Sequence, residues 1–293
     1  MKINMYKNSI IVAHRNRPNC LKTFLRSMEL AALQVSPDSY EVVISDLGSK
    51  RRSLAVMECF SDSLNLKVIK NQYKGSFWKT KSLNNAASHT KGKYITMLDV
   101  DSVVNCNFLE NIRQFYSIDN NKGVKLAHRV RFLTPAISKV LLKSWRKFDC
   151  DFLRKHIVKR ASLFNLARER YSSQEIRYVK LPKEKRAKMQ ASQALGNSHF
   201  TMLKDDYMAL GGNDERFIGH GLEDLDFNLR AWRLLKCGRL FPDHNRTVYH
   251  VAYAVKGTDW IGEKFKINNR RLYRKNKAKH IIKVPMSKNW GKF

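Results

Sequence analysis

Residues 94–101 read YITMLDVD, an apolar run with β-branched positions that ends on two carboxylates, Asp99 and Asp101, separated by one residue. A buried strand delivers its last residues to the carboxyl edge of a sheet, where open α/β folds place their ligands. Side chains two apart on an extended chain face the same side, so both carboxylates can reach one hard cation or the phosphates it carries. Aspartate is also a common turn residue, and taken alone the pair equally describes a strand followed by a polar turn.

Working outward, the first 120 residues alternate strand-like runs with helical patterns. The pattern predicts strands over residues 9–13, 41–45, 66–69 and 94–98, with Asp46 and the turn glycine Gly48 closing the second. Helices are expected over 18–33, opened by Pro18, and over 80–89. That order implies an α/β fold with a mostly parallel sheet and right-handed crossovers, a Rossmann-like nucleotide-binding half. No GxGxxG and no GxxxxGK[ST] occurs, so the phosphates of a nucleotide need another cradle. Arg15 and Arg17, just past the first strand at the same edge as Asp46 and Asp99, offer guanidinium forks suited to a diphosphate. Lys81, in the helix expected over 80–89, joins them as a further cation for the donor.

The chain has 293 residues and is 43% hydrophobic, ample for a core. Its charge is the anomaly. There are 56 Lys and Arg against 25 Asp and Glu, a net +31, with a pI near 10.1. Such a surface attracts nucleic acid, an anionic membrane or a phosphorylated substrate. The five cysteines, Cys20, Cys59, Cys106, Cys150 and Cys237, are odd in number without metal-type spacing, so a reduced compartment is expected. The apolar run at 10–13 is too brief for a signal or membrane helix, and no other apolar stretch nears ~18 residues. A soluble, cytoplasmic protein, able to lie against a membrane, is expected.

A second cluster, GGNDERFIGHGLEDLDFNLRAWR, spans residues 211–233. Its glycines allow close backbone approach, and Glu223, Asp224 and Asp226 open a helix with the apolar stripe Leu225, Leu229, Trp232 and Leu235. Acids at a helix start often only complement its dipole. Fed by a glycine loop, one of them can instead be brought against a substrate hydroxyl as a general base. A third element is His250, ending the apolar stretch 247–251. Folded against Asp101, it would complete an imidazole and carboxylate set for manganese.

Three separated segments together resemble a known family. AHRNRPNCLKTFL (13–25), LDVDSVV (98–104) and GGNDERFIGHGLEDLDFNLR (211–230) are similar to the nucleotide-contacting opening, the DxD motif and the acceptor and base motif of GT-A glycosyltransferases. The likeness is to the family 2 group whose C-terminal half is similar to β-1,4-galactosyltransferases and chondroitin polymerases. It implies a GT-A fold, a UDP-sugar donor and a Mn2+ or Mg2+ ion. It implies that Arg15 and Arg17 contact the diphosphate, Asp46 the uridine or ribose, and Asp99 the ribose or sugar. Asp101 and His250 would hold the metal, Asp224 would be the catalytic base, and Glu223 beside it would hold acceptor or donor sugar. His220, before Gly221, stands where relatives often carry tryptophan. The implied chemistry is a single displacement at the anomeric carbon, inverting its configuration.

The expected organisation is a nucleotide-sugar-binding half over 1–120, an acceptor and catalytic half over 121–253 and a basic tail over 254–293. The second half carries a basic helical insertion near 136–190, with Ile137, Leu141, Trp145, Phe148 and Phe152 on one side. The tail places Arg270, Arg271 and Arg274 among other cations, interleaved with Trp260, Phe265 and Tyr273. Three readings of the basic excess arise. The acceptor is a hydroxymethylated base in DNA, of the kind found in modified viral genomes, held by phosphate contacts and aromatic groups. Alternatively the enzyme lies on an anionic membrane and extends a glycolipid or surface polysaccharide. Or the chain is a catalytically inactive relative that binds nucleic acid.

Overall fold

In the computed structural model the described residues are 7–155, 199–219, 221–236, 240–251 and 263–293. In chain order their elements are β1 (Asn8–His14), α1 (Pro18–Ala32), β2 (Tyr40–Leu47), α2 (Arg51–Glu58), β3 (Leu66–Asn71), α3 (Lys79–Ser88), β4 (Tyr94–Met97), β5 (Ser102–Val104), α4 (Phe108–Ser117), β6 (Lys125–Phe132), α5 (Pro135–Ser144), α6 (Cys150–Leu153), β7 (Phe200–Leu203), α7 (Lys204–Ala209), α8 (Glu223–Leu235), β8 (Leu240–His250) and α9 (Glu263–Ala278). The strands form one eight-stranded, mostly parallel sheet of order β3-β2-β1-β4-β7-β6-β8-β5. Pairs β2–β3, β1–β2, β1–β4 and β6–β8 are parallel, whereas β4–β7, β6–β7 and β5–β8 are antiparallel.

The sheet is covered on both faces, which is why its strands read as continuous apolar runs. Alternate residues feed opposite layers. Ile10, Val12, Val42 and Ile44 pack with Leu21, Phe24, Leu25 and Met28 of α1, whose spacing is the stripe a half-buried helix needs. Pro18 supplies a preset φ where a helix has no partner for an N–H. Ile11, Val43, Ile95 and Met97 meet Leu83, Ala86 and Ala87 of α3 and Phe227 and Ala231 of α8 on the other face. Parallel register sets His14 beside Asp46, and the antiparallel β5–β8 pair sets Ser102 beside His250. The motifs thus meet at one edge.

Two sequence expectations are corrected here. The apolar side expected from Ile137 to Phe152 is not one helix. The chain breaks between α5 and α6, where Asp149 caps α6 by accepting the Phe152 N–H at 2.6 Å. Ile137, Leu141, Phe148 and Leu153 still share one apolar cluster, with Phe152 stacked on Phe148 at 5.3 Å. The rest of the expected insertion, 156–190, lies outside the described residues. Second, the cysteines are not all unpaired. Cys106 and Cys150 form a disulfide across 44 residues, a proximity that spacing alone does not reveal because the intervening fold creates it. Among the described residues no helix is long and apolar enough to cross a membrane.

Candidate active site

The turn after β1 starts the site. His14 and Asp46, both buried at strand ends, share a 2.8 Å hydrogen bond between Nδ1 and Oδ1. The Ser49 N–H donates to the other Asp46 oxygen at 2.9 Å. Burial alone would raise the Asp46 pKa, yet the bonds from His14 and Ser49 outweigh it and hold the carboxyl below its usual range. Asn16 takes a left-handed conformation, φ 51°, and accepts the Lys50 N–H at 2.7 Å, pinning the β1 and β2 turns together. Arg15 donates to the Gly75 carbonyl. Arg17 reaches inward, donating from Nη1 to Asp101 Oδ2 at 2.7 Å.

Asp101 is the junction of the next cluster. Its other oxygen lies 3.2 Å from His250 Nε2, and the Val251 N–H donates to its carbonyl at 2.8 Å. Burial would raise the Asp101 pKa, but the His250 bond and charge and the Arg17 charge hold it low. Conversely burial would lower the His250 pKa, and Asp101 keeps it above the ordinary imidazole value. Donor atoms of Asp99, Asp101 and His250 all lie within 4.8 Å of one another. Two carboxylates and an imidazole suit manganese or magnesium, and the favourable His250–Asp101 contact marks a place where positive charge is wanted. The residues present therefore fit the ion. His199, 3.9 Å from Asp99 and hydrogen-bonded to Ser102 at 2.8 Å, backs the cluster. Burial pushes its pKa down to about 4, so the ring is neutral.

The acceptor motif arrives from the other side. Leu222 precedes α8 at φ 67°, an uncommon conformation for a bulky side chain. Among the described residues no side-chain cap holds this helix start, although the Gly221 N–H donates to Glu223 Oε2 at 2.6 Å. Lys79, at the first residue of α3, ties the motif to the DxD pair. Its Nζ lies 3.0 Å from Asp99, 3.6 Å from Asp224 and 3.7 Å from Glu223. Burial would lower the Lys79 pKa, but the three carboxylates raise it, so the cation is fixed. Asp224 responds the other way: burial, with Glu223 and Asp99 nearby, outweighs Lys79 and lifts its pKa to about 7. Asn228 donates to the Asp224 carbonyl at 2.7 Å and accepts from the buried Lys125 at 2.8 Å.

The structure thus gathers Arg17, Asp99, Asp101, Glu223, Asp224 and His250, with Asp46 and Arg15 along the same edge. Lys81 is placed apart, its Nζ over the rings of Trp78 at 4.7 Å and Phe293 at 5.3 Å. The cation among the carboxylates is Lys79, which sequence reasoning missed together with His14 and His199. Gly221 has φ 118°, and among the described residues nothing lies within 4 Å of where a Cβ would stand, a backbone that can approach a ligand closely. His220 and Trp260 lie outside the described residues. Arg270, Arg271 and Arg274 are exposed on α9. The segment expected as a tail is, in its described part, docked: Asn269 and Asn276 are buried, and the Trp290 indole N–H donates to the Gly211 carbonyl at 3.0 Å.

The profile of glycosyltransferase like family 2 matches residues 13–243. Among curated proteins no sequence matches the chain. Solved structures do. S. aureus TarS 1-349 in complex with UDP-GlcNAc superposes with a TM-score of 0.58 at 16% identity, covering 91% of this chain and 65% of that one. A second S. aureus TarS structure gives 0.58 at 15%, covering 92% and 39%. The mannosyltransferase PcManGT of Pyrobaculum calidifontis, in complex with GDP-Man and Mn2+, gives 0.57 at 14%, covering 95% and 65%. The chain spans less than two thirds of the length of these structures, and at such identities the likeness is one of fold.

Proposed function

Because the chain belongs to glycosyltransferase like family 2 and has the GT-A fold, we propose that it moves a sugar from a UDP-sugar to an acceptor hydroxyl with inversion. The observation that carries this reading is the convergence of three separated motifs on one ionic cluster, with Lys79 spanning Asp99 and Asp224. Asp101 and His250, with Asp99, would hold Mn2+ or Mg2+, which when bound offsets the charge of the leaving diphosphate. Arg15 and Arg17 add fixed positive charge for the same group. Asp46, held ionised by His14 and Ser49, is suited to accept hydrogen bonds from uridine or ribose. In the displacement the acceptor oxygen bonds to the anomeric carbon as the bond to UDP breaks. Asp224 takes the acceptor proton, and its raised pKa suits a base working near neutrality. Glu223, turned back onto the Gly221 amide, positions the loop on which the acceptor lies.

For the acceptor we favour a hydroxymethylated base in DNA. The support is the net charge of +31 together with the exposed cations Arg270, Arg271, Arg274, Lys275, Lys277 and Lys279 on and after α9. No Asp or Glu follows Glu263. A second reading, a peripheral-membrane enzyme of surface glycan synthesis, is favoured by the exposed Ile267, Ile282 and Met286 among those cations. The test is transfer of radiolabel from a panel of UDP-sugars, with manganese, onto DNA containing 5-hydroxymethylated pyrimidines, onto unmodified DNA and onto a lipid extract. Label on hydroxymethylated DNA alone supports the first reading. Label in the lipid fraction alone replaces it with the second.

A further inference from the structure

The proposed base sits at a helix start that the ordinary devices do not hold. Leu222 is in a left-handed conformation that costs a bulky residue ~1–2 kcal/mol, and among the described residues no side-chain cap of the kind that commonly satisfies a first turn is present. Such local strain persists only where surrounding structure over-determines it. The over-determining contacts come from α9. The Asn276 side-chain amide donates to Asp226 Oδ1 at 2.8 Å and to Asp214 Oδ2 at 3.0 Å. Its carbonyl oxygen accepts from Arg216 at 3.2 Å. Asp226, two residues beyond Asp224 in the same first turn, accepts from Arg230 at 2.8 Å, and Arg230 also donates to the carbonyls of Leu210 and Gly212. Asp214, Asp226, Arg230 and Asn276 are each at most 4% exposed. One neutral amide therefore stands between two buried carboxylates, donating one proton to each, and joins the basic helix to the turn that carries Asp224.

We infer that Asn276 is a positioning residue for the reaction: it fixes the first turn of α8, and through it Asp224, against α9. The inference rests on the proposed glycosyl transfer for its kinetic consequence, and on the network alone for its structural one. An amide is the group this place demands. A carboxylate would be a third acid among Asp214 and Asp226, and an aliphatic side chain would take from the buried Asp226 Oδ1 its amide donor and leave Asp214 Oδ2 to Arg216 alone. Arg270, Arg271, Arg274, Lys275 and Lys277 of α9 are exposed, so the contact also fixes where an anionic acceptor would lie relative to Asp224.

The test compares the full-length wild type with Asn276→Leu and Asn276→Ser, all below their unfolding midpoints. The first readout is amide hydrogen exchange. Exchange over residues 221–227 is expected to quicken about tenfold in both variants while β1 and β4 keep their rates; unchanged exchange there would overturn the coupling. The second is steady-state transfer per folded molecule. A fall in kcat of ~10- to 100-fold with the donor KM within about twofold is expected, since small misplacements of a reacting group carry that penalty. An unchanged kcat, or a loss carried by the donor KM alone, would reduce Asn276 to a structural residue. If Asn276→Leu does not fold, Asn276→Ser, which keeps a smaller polar group, carries both readouts. A wild type that turns over no nucleotide sugar while exchange still responds would refute the proposed reaction and leave the coupling in place.

Discussion

Asp224 decides how the reaction should depend on pH. Its acid form is favoured below about 7 and its base form above, so kcat/KM should rise with pH through that value instead of near 4, where a free aspartate titrates. Lys79 is the cation that opposes this shift. Lys79→Met should therefore move the midpoint upward, and a pH–rate profile whose midpoint stayed or fell would contradict the assignment. Asp224→Asn should keep UDP affinity, measured by calorimetry, while losing transfer. The DxD pair and the acids of α8 were legible because each stands at a predicted element end. Lys79 was not; the lysine named from the sequence is Lys81, whose Nζ lies over Trp78 and Phe293. Two residues along a helix turn the side chain by roughly 200°, so the two lysines leave α3 on opposite sides and only Lys79 meets the carboxylates.

At the scale of elements, the loop before α8 is held by close backbone approach. A Cβ on Gly211, at φ +75°, would stand 2.1 Å from the Val284 carbonyl oxygen, whereas one on Gly221, at φ +118°, meets nothing within 4 Å. Gly211→Ala should accordingly lower stability by at least ~2 kcal/mol in urea unfolding, and Gly221→Ala by only ~1 kcal/mol. Equal losses would contradict the packing described. The glycines were readable as points of close approach, but their partners were not: Val284 follows α9, which docks through buried asparagines and carries no clear apolar stripe. Hydrophobic periodicity does not register amides, so the helix reads as a solvated tail. Its outward face gives a separate prediction. Replacing Arg270, Arg271, Arg274 and Lys275 with glutamine should weaken DNA binding and flatten its salt dependence by about 0.9 for each phosphate that is no longer neutralised. An unchanged salt slope would remove this face from the acceptor path.

For the molecule as a whole, β1 to β4 were legible because each pairs in parallel with another strand of that set, and each motif there follows a strand into the same edge. The second half mixes antiparallel pairs with the distant parallel pair β6–β8, and β5 joins the sheet only by pairing with β8. No local period encodes such long-range pairing. Yet that pairing delivers His250 to Asp101, so the proposed metal set draws on distant parts of the chain. The most direct test follows from it: release of UDP from radiolabelled UDP-sugars by the wild type and by Asp101→Ala, each with and without manganese. Manganese-dependent turnover is expected from the wild type and none from the variant. Turnover by Asp101→Ala at the wild-type rate, or wild-type turnover indifferent to divalent metal, would contradict it.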